Sequence, residues 1–224
     1  MSLEVDQRVL WNRQHTIRGV EGGIEANLRD SPCDAAILLL SVLYPKSRIL
    51  EVDPGLGRDA RKWAEFGHKV DCIDISDVAL NQLTALATNA GLQNYFNTYR
   101  HDISTGTLPV GLAYCYDAFY ARSALPLGDD NLFKLTNDIT SRMMRDGIIF
   151  IEGKGPCDPK IIRSEDIGGG LRRDYDGHVR RVWDVPSMQQ LAKINGWEII
   201  RVSEYIDDGP YGCNQMMRLV AKIK

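Results

Sequence analysis

The chain has 224 residues, enough for one ordinary domain. Hydrophobic residues make up 44% and charged residues 25%, a globular composition that excludes a disordered, collagenous or coiled-coil protein. The formal net charge of −3 argues against a nucleic-acid coat or a polybasic membrane binder, though not against a local basic patch.

The N-terminus carries no basic region followed by an apolar run, so no secretory signal is expected. The longest apolar stretch, Ala35 to Tyr44, falls well short of the roughly 20 residues that span a bilayer. The five cysteines, Cys33, Cys72, Cys115, Cys157 and Cys213, form no C-x-x-C pair. They are expected to be small buried hydrophobes in a reducing cytoplasm, with no metal site.

In chain order, a polar and helical arm from Ser2 to about Arg29 comes first, interrupted by Gly19, Gly22 and Gly23. Ser31-Pro32 starts a buried helix that runs to Tyr44. Arg48–Asp53 is a strand stopped by Pro54-Gly55, and Gly57–Phe66 is a helix with Ala60, Trp63 and Ala64 on one face. His68–Ile75 is a second strand. Ser76 caps a helix through Val78, Leu80, Leu83 and Leu86 towards Gly91. Tyr95–His101 is a weaker third strand, Tyr116–Ala121 a fourth, Asn131–Arg145 a helix and Gly147–Glu152 a fifth strand. This alternation predicts an α/β fold with a parallel sheet covered on both faces. Pro186–Asn195 is a last helix. The runs WEIIRVSEY and MMRLVAKIK then predict an antiparallel hairpin at the sheet edge.

The segment ILEVDPGLGRDA, Ile49–Ala60, carries the chemistry. A strand enters a glycine turn and then a helix, and in open α/β sheets ligands bind outside the carboxyl ends of strands. Gly55 and Gly57 let a ligand approach the backbone, and Asp74, ending the second strand, can accept both hydroxyl protons of a ribose. Gly55-x-Gly57-x-x-Ala60 with an acid about 20 residues on also fits a dinucleotide fingerprint. The charges decide between the two. Glu51 and Asp53 would repel a diphosphate, which wants bare N–H groups at the helix start. S-adenosylmethionine, with a sulfonium and an ammonium and no phosphate, suits an acidic turn. Each acid also has a plainer role, Glu51 as a partner of the loop and Asp53 as a turn former.

With these residues the chain resembles the class I S-adenosylmethionine-dependent methyltransferases, in the small-molecule branch of tellurite-resistance and thiopurine methyltransferases. LEVDPGLGRDARKWAEFGHKVDCIDISDVAL is similar to that branch's first two motifs, and GHVRRVWDVPSMQQLAKINGWEIIRVSEY to its last third. The resemblance covers Trp11 to Lys224. It implies a Rossmann-like, doubly wound, mostly parallel seven-stranded sheet in a single domain. Residues 1–30 would be an arm or cover and residues 155–185 a lid-like insertion.

The resemblance further implies that Asp74 holds the ribose, Ile75 and Ile103 lie by the adenine, and Asp102 accepts the adenine amino group. Ala121 and Arg122 would flank the methionine portion, and Trp11 would belong to the cover with Arg13 and His15. Asp53 and Pro54 depart from the family, whose first motif glycine stands where Asp53 is. Asp53 is expected either to contact the cofactor's ammonium or to crowd it. The segment Tyr120–Ser123 lacks the Asn/Asp-Pro-Pro-Tyr/Phe pattern of amino-directed nucleic-acid methyltransferases, which argues for a small molecule as acceptor.

Methyl transfer is mainly a task of alignment, so no strict catalytic signature is expected. His178 is the candidate base. Arg172, Arg173, Arg180 and Arg181 either meet an anionic substrate or pair with Asp174, Asp176 and Asp184. The expected activity is methyl transfer from S-adenosylmethionine, giving S-adenosylhomocysteine, with no nucleic-acid or membrane partner. The alternatives are an NAD-dependent oxidoreductase and a methyltransferase-like binding module without turnover.

Overall fold

The computed structural model describes residues 6–20, 31–209 and 212–224. The chain divides into two units, Met1–Asp102 and Ile103–Lys224. A seven-stranded, mostly parallel sheet has the strand order Phe96–Arg100, Lys69–Asp74, Arg48–Val52 in the first unit and Tyr116–Arg122, Met143–Lys154, Gly212–Lys222, Glu198–Gly209 in the second.

In the first unit, β1 (Arg48–Val52), β2 (Lys69–Asp74) and β3 (Phe96–Arg100) pair in parallel. β1 and β2 are buried along nearly their whole length, charged residues Glu51, Asp71 and Asp74 included. Ile49, Leu50, Val52, Val70 and Ile73 are buried there. Helix α3 (Arg58–Glu65) buries Ala60, Trp63 and Ala64, the face that the sequence predicts. The Trp63 indole N–H donates to the Ala36 carbonyl at 3.0 Å. Helix α4 (Asp77–Asn89) is capped by Ser76, whose hydroxyl accepts the Ala79 N–H at 3.1 Å.

Two helices correct the sequence reading. Helix α1 (Gln7–Val20) continues through Gly19, while Gly22 and Gly23 lie outside the described residues. Helix α2 covers only Asp34–Leu40 and buries Ala35, Ala36 and Leu39, so the predicted buried helix to Tyr44 is shorter and one-sided. Tyr44 is 82% exposed. Packing selects one stripe of that apolar run and leaves Ile37 and Leu38 in solvent.

In the second unit, β4 (Tyr116–Arg122) lies parallel to β5 (Met143–Lys154). The antiparallel hairpin of β9 (Glu198–Gly209) and β10 (Gly212–Lys222) joins β5 through β10 and leaves β9 at the edge, as expected. Helix α5 is Asp129–Arg142, not Asn131–Arg145. Met143 instead pairs with Tyr116, and the Asp146 N–H donates to the Ile223 carbonyl, so strand pairing claims the last predicted helical residues. After the short helix α6 (Pro159–Ile162), strands β6 (Glu165–Gly168), β7 (Leu171–Arg173) and β8 (Val179–Arg181) form a separate antiparallel sheet. Helix α7 (Val185–Ile194) starts at a capping box of Asp184 and Ser187.

The cysteine expectation holds only in part. Cys72 is buried and Cys33 half-buried, but Cys115 and Cys157 are exposed, and the Cys213 side chain lies outside the described residues. Cys115 and Cys157 stand in connections rather than in a packed strand or helix. Among the described residues no helix is long and apolar enough to cross a membrane.

Candidate functional site

The first unit builds a tight turn at the end of β1. Asp53, Gly55 and Gly57 all have left-handed backbones, with φ of 55°, 57° and 68°. Glycine adopts this conformation freely, and aspartate tolerates it better than most residues. The Asp53 N–H donates to the Ile73 carbonyl at 2.8 Å, which ties the turn to β2. Gly57 caps α3, and a Cβ there would stand 2.5 Å from Leu83 Cδ1. The missing side chain lets α3 and α4 close around the turn.

Asp74 ends β2 and reaches back to the same turn. Its Oδ2 accepts the Gly55 N–H at 3.3 Å and its Oδ1 accepts the Ser76 N–H at 2.8 Å. Burial pushes the Asp74 carboxyl up to about 6, against the pull of those backbone donors. Burial, then repulsion from Asp59, holds Glu51 well above the usual carboxylate range, while Arg58 opposes the shift. Burial, then Asp74 and Asp102, does the same to Asp53. No ion pair joins Glu51, Asp53 or Asp74 to a cation among the described residues. The turn therefore gathers three carboxyls whose ionisation burial disfavours, and Arg58 opposes that shift only at Glu51.

Helix α1 reaches the turn as well. A Cβ on Gly55 would meet His15 Cε1 at 3.5 Å, and Trp11 stacks on His15 with ring centroids 6.0 Å apart. Arg13 is exposed. Asn12 was not singled out by sequence reasoning, yet it fastens the helix. It donates to Asp77 Oδ1 at 2.8 Å, and its Oδ1 accepts the Ser76 hydroxyl at 2.7 Å. The available signal is spacing, because Trp11, Asn12 and His15 share one helical face. Ile75 is half-buried beside Asp74, and Asp102 is exposed after β3. The structure thus brings Trp11, Glu51, Asp53, Gly55, Gly57, Asp74, Ile75 and Asp102 together within one unit.

The remaining expected residues belong to the second unit. Ile103 and Ala121 are buried. Arg122 ends β4 and is held by Glu152 at 2.7 Å and Asp207 at 2.7 Å. Arg218 donates to the other oxygen of Glu152 at 2.8 Å. His178 sits in the turn between β7 and β8, only 6% exposed. Its backbone N–H donates to Asp174 Oδ1 at 3.0 Å, and its carbonyl accepts the Asp174 backbone N–H at 3.0 Å.

The four arginines of this segment pair with acids, but mostly not with those expected. Arg180 pairs with Asp174 at 3.2 Å, whereas Arg172 pairs with Asp166, Arg173 with Glu165 and Arg181 with Asp129. Asp184 caps α7 instead.

No protein-family model and no curated protein matches the chain. Solved structures match its fold. The CcbJ methyltransferase from Streptomyces caelestis aligns over 98% of this chain and 99% of its own, at 14% identity and a TM-score of 0.71. A 1,6-didemethyltoxoflavin-N1-methyltransferase from Burkholderia thailandensis aligns over 100% and 93%, at 14% identity and 0.69. TehB from Haemophilus influenzae aligns over 84% and 61%, at 14% identity and 0.64. The fold is thus that of the class I S-adenosylmethionine-dependent methyltransferases, as the sequence resemblance implies.

Proposed function

We propose that the protein transfers a methyl group from S-adenosylmethionine to a small-molecule acceptor. The left-handed turn Asp53–Gly57, ringed by the carboxylates of Glu51, Asp53 and Asp74, carries this reading. A diphosphate would add negative charge to it, whereas a sulfonium and an ammonium would neutralise it. The Burkholderia thailandensis neighbour is described with bound 1,6-didemethyltoxoflavin and S-adenosylhomocysteine, which supports both the cofactor and the acceptor class.

When bound, S-adenosylmethionine supplies an activated methyl on a good leaving group. The chain's part is to bind and align. Asp74 would exchange its Gly55 contact for the ribose hydroxyls, and Asp53 would face the ammonium. Gly55 and Gly57 keep the turn free of side chains, and Trp11 and His15 would cover it. The resemblance adds Ile75, Asp102 and Ile103 at the adenine and Ala121 and Arg122 at the methionine portion. His178 would be the candidate base for the acceptor's proton, with water as the other acceptor of it.

An anionic acceptor would have to displace Glu165, Asp166, Asp174 or Asp129 from the arginines that they hold. The net charge of −3 supports a partner other than nucleic acid, and cysteines joined in no disulfide among the described residues suit a cytoplasmic setting. The test is a thermal-shift comparison. S-adenosylmethionine at about 100 times its Kd should stabilise the protein by about 2.7 kcal/mol, and NAD should not. A shift with NAD alone would overturn the reading in favour of an oxidoreductase.

A further inference from the structure

The loop that follows β4, Ser123–Gly128, has an unusual backbone. Ser123 and Leu125 are both left-handed, with φ of 54° and 64°. Neither is glycine, so both hold a conformation that L side chains disfavour. The loop folds back on itself, with the Leu127 N–H donating to the Leu125 carbonyl at 2.8 Å. Its apolar side chains are buried, Leu125 and Leu127 almost completely. Strain of this kind persists only where the surroundings over-determine it, and it gathers at functional sites. Ser123 is also the first residue beyond the carboxyl end of β4, the end at which open α/β sheets bind their ligands.

One side chain holds this loop. Arg181, the last residue of β8, donates Nη1 to the Leu127 carbonyl at 2.8 Å and Nη2 to Asp129 Oδ1 at 2.6 Å. Its side chain is 8% exposed, and the guanidinium lies 5.0 Å over the Trp183 ring. Trp183 is seated in turn because Gly153 has no side chain, since a Cβ there would come within 2.3 Å of it. The β6–β7 turn approaches the same loop. Gly168, Gly169 and Gly170 are all left-handed, and a Cβ on Gly169 would stand 3.9 Å from Gly128 Cα. Arg181 thus joins the small sheet to both ends of the Leu127–Asp129 corner with its planar fork, a geometry that lysine cannot reproduce.

We propose that Arg181 is a positioning residue. It holds Ser123–Gly128 in its strained conformation at the ligand-binding end of β4, and the β6–β8 sheet is the brace that carries it. The consequence for cofactor binding rests on the methyltransferase reading, but the brace itself does not.

The test uses the full chain and two readouts, amide hydrogen exchange and titration with S-adenosylhomocysteine. In Arg181→Met the Leu127 and Leu132 amides should exchange about tenfold faster or more, while those of Phe119 and Ile149 inside the sheet stay unchanged. S-adenosylhomocysteine affinity should fall about tenfold, because a loop that leaves its bound conformation is competent to bind for a smaller fraction of the time. Arg181→Lys should lie between the wild type and Arg181→Met. Adding Ser123→Gly to Arg181→Met should restore part of the affinity, because glycine adopts the left-handed conformation without the brace. A merely structural loss would not respond to that second change. Unchanged exchange at Leu127 and Leu132 in a folded Arg181→Met protein would overturn the brace. If the wild type fails to bind S-adenosylhomocysteine, the methyltransferase reading falls and the exchange data alone judge the brace.

Discussion

The buried acids of the second unit are matched by cations, whereas the first unit holds both a matched acid, Asp71 with Arg48 at 3.1 Å, and a group of unmatched ones at the end of β1. In the second, Glu152 lies between Arg122 and Arg218, Asp158 holds Lys154, and Asp174 holds Arg180. In the first, burial raises Glu51, Asp53 and Asp74, with carboxylate repulsion adding to it at Glu51 and Asp53, and none of the three has an ion-pair partner among the described residues. Acids already matched by cations serve the fold. In the proposed function, the acids left unmatched at a strand end and a glycine turn would meet a ligand that brings the charge with it. The difference also bears on the arginines of the β6–β8 sheet, which the structure uses for internal pairing.

The comparison is broken most severely at Glu152. Glu152→Ala leaves two half-buried guanidinium groups without their shared carboxylate, and we expect a loss of about 3–5 kcal/mol in urea unfolding. A loss below about 1 kcal/mol would show that the matched acids are no more structural than the others.

Next in size is Asp74→Ala. It should weaken S-adenosylmethionine binding by about 1.5–3 kcal/mol in calorimetry while the protein stays folded. Unchanged affinity would mean that the ribose-holding acid lies elsewhere.

Asp53→Gly places the family's glycine where the chain has a left-handed aspartate. We expect weaker S-adenosylmethionine binding by about 1 kcal/mol, the loss of one partly solvated charge contact. Tighter binding would show that the carboxylate obstructs the cofactor.

The smallest effect sharpens the contrast. Glu51→Gln should leave the stability of the unliganded protein unchanged within about 0.5 kcal/mol or raise it, because the buried carboxylate repels its neighbours. A large loss in the same unfolding assay would place Glu51 with the structural acids.

The strand, turn and helix around Asp53 to Ala60, and the Asp74 that closes it, were legible because their signals are local. Glycine marks the turn, Ile, Leu and Val at the strand positions mark the buried strands, and Ser76 marks a cap. What stayed hidden depends on distant partners. Arg181 finds Asp129 and Arg122 finds Asp207 across 52 and 85 residues, and Asn12 finds Ser76 across 64. The start of β5 was misread for the same reason. Met143–Arg145 continue a helical pattern, and only pairing with Tyr116 and the bond from Asp146 to Ile223 make them extended. The helix before Tyr44 was overextended because an apolar run does not reveal which of its residues face a neighbour.

The central claim is that the unmatched acids of the first unit await a cationic ligand, and their titration tests it. Asp74 has its folded-state value raised to about 6, so the folded protein holds a proton that the unfolded chain releases earlier. This group therefore favours the unliganded fold below its unfolded value, and that contribution is lost as pH rises through about 6. A bound sulfonium and ammonium would lower it again. The measurement is calorimetric titration of S-adenosylmethionine at pH 6 in two buffers of different ionisation enthalpy. The account predicts binding with net proton release, and affinity that falls as the pH is lowered further. Binding with proton uptake, or no binding of S-adenosylmethionine where NAD binds, would contradict it.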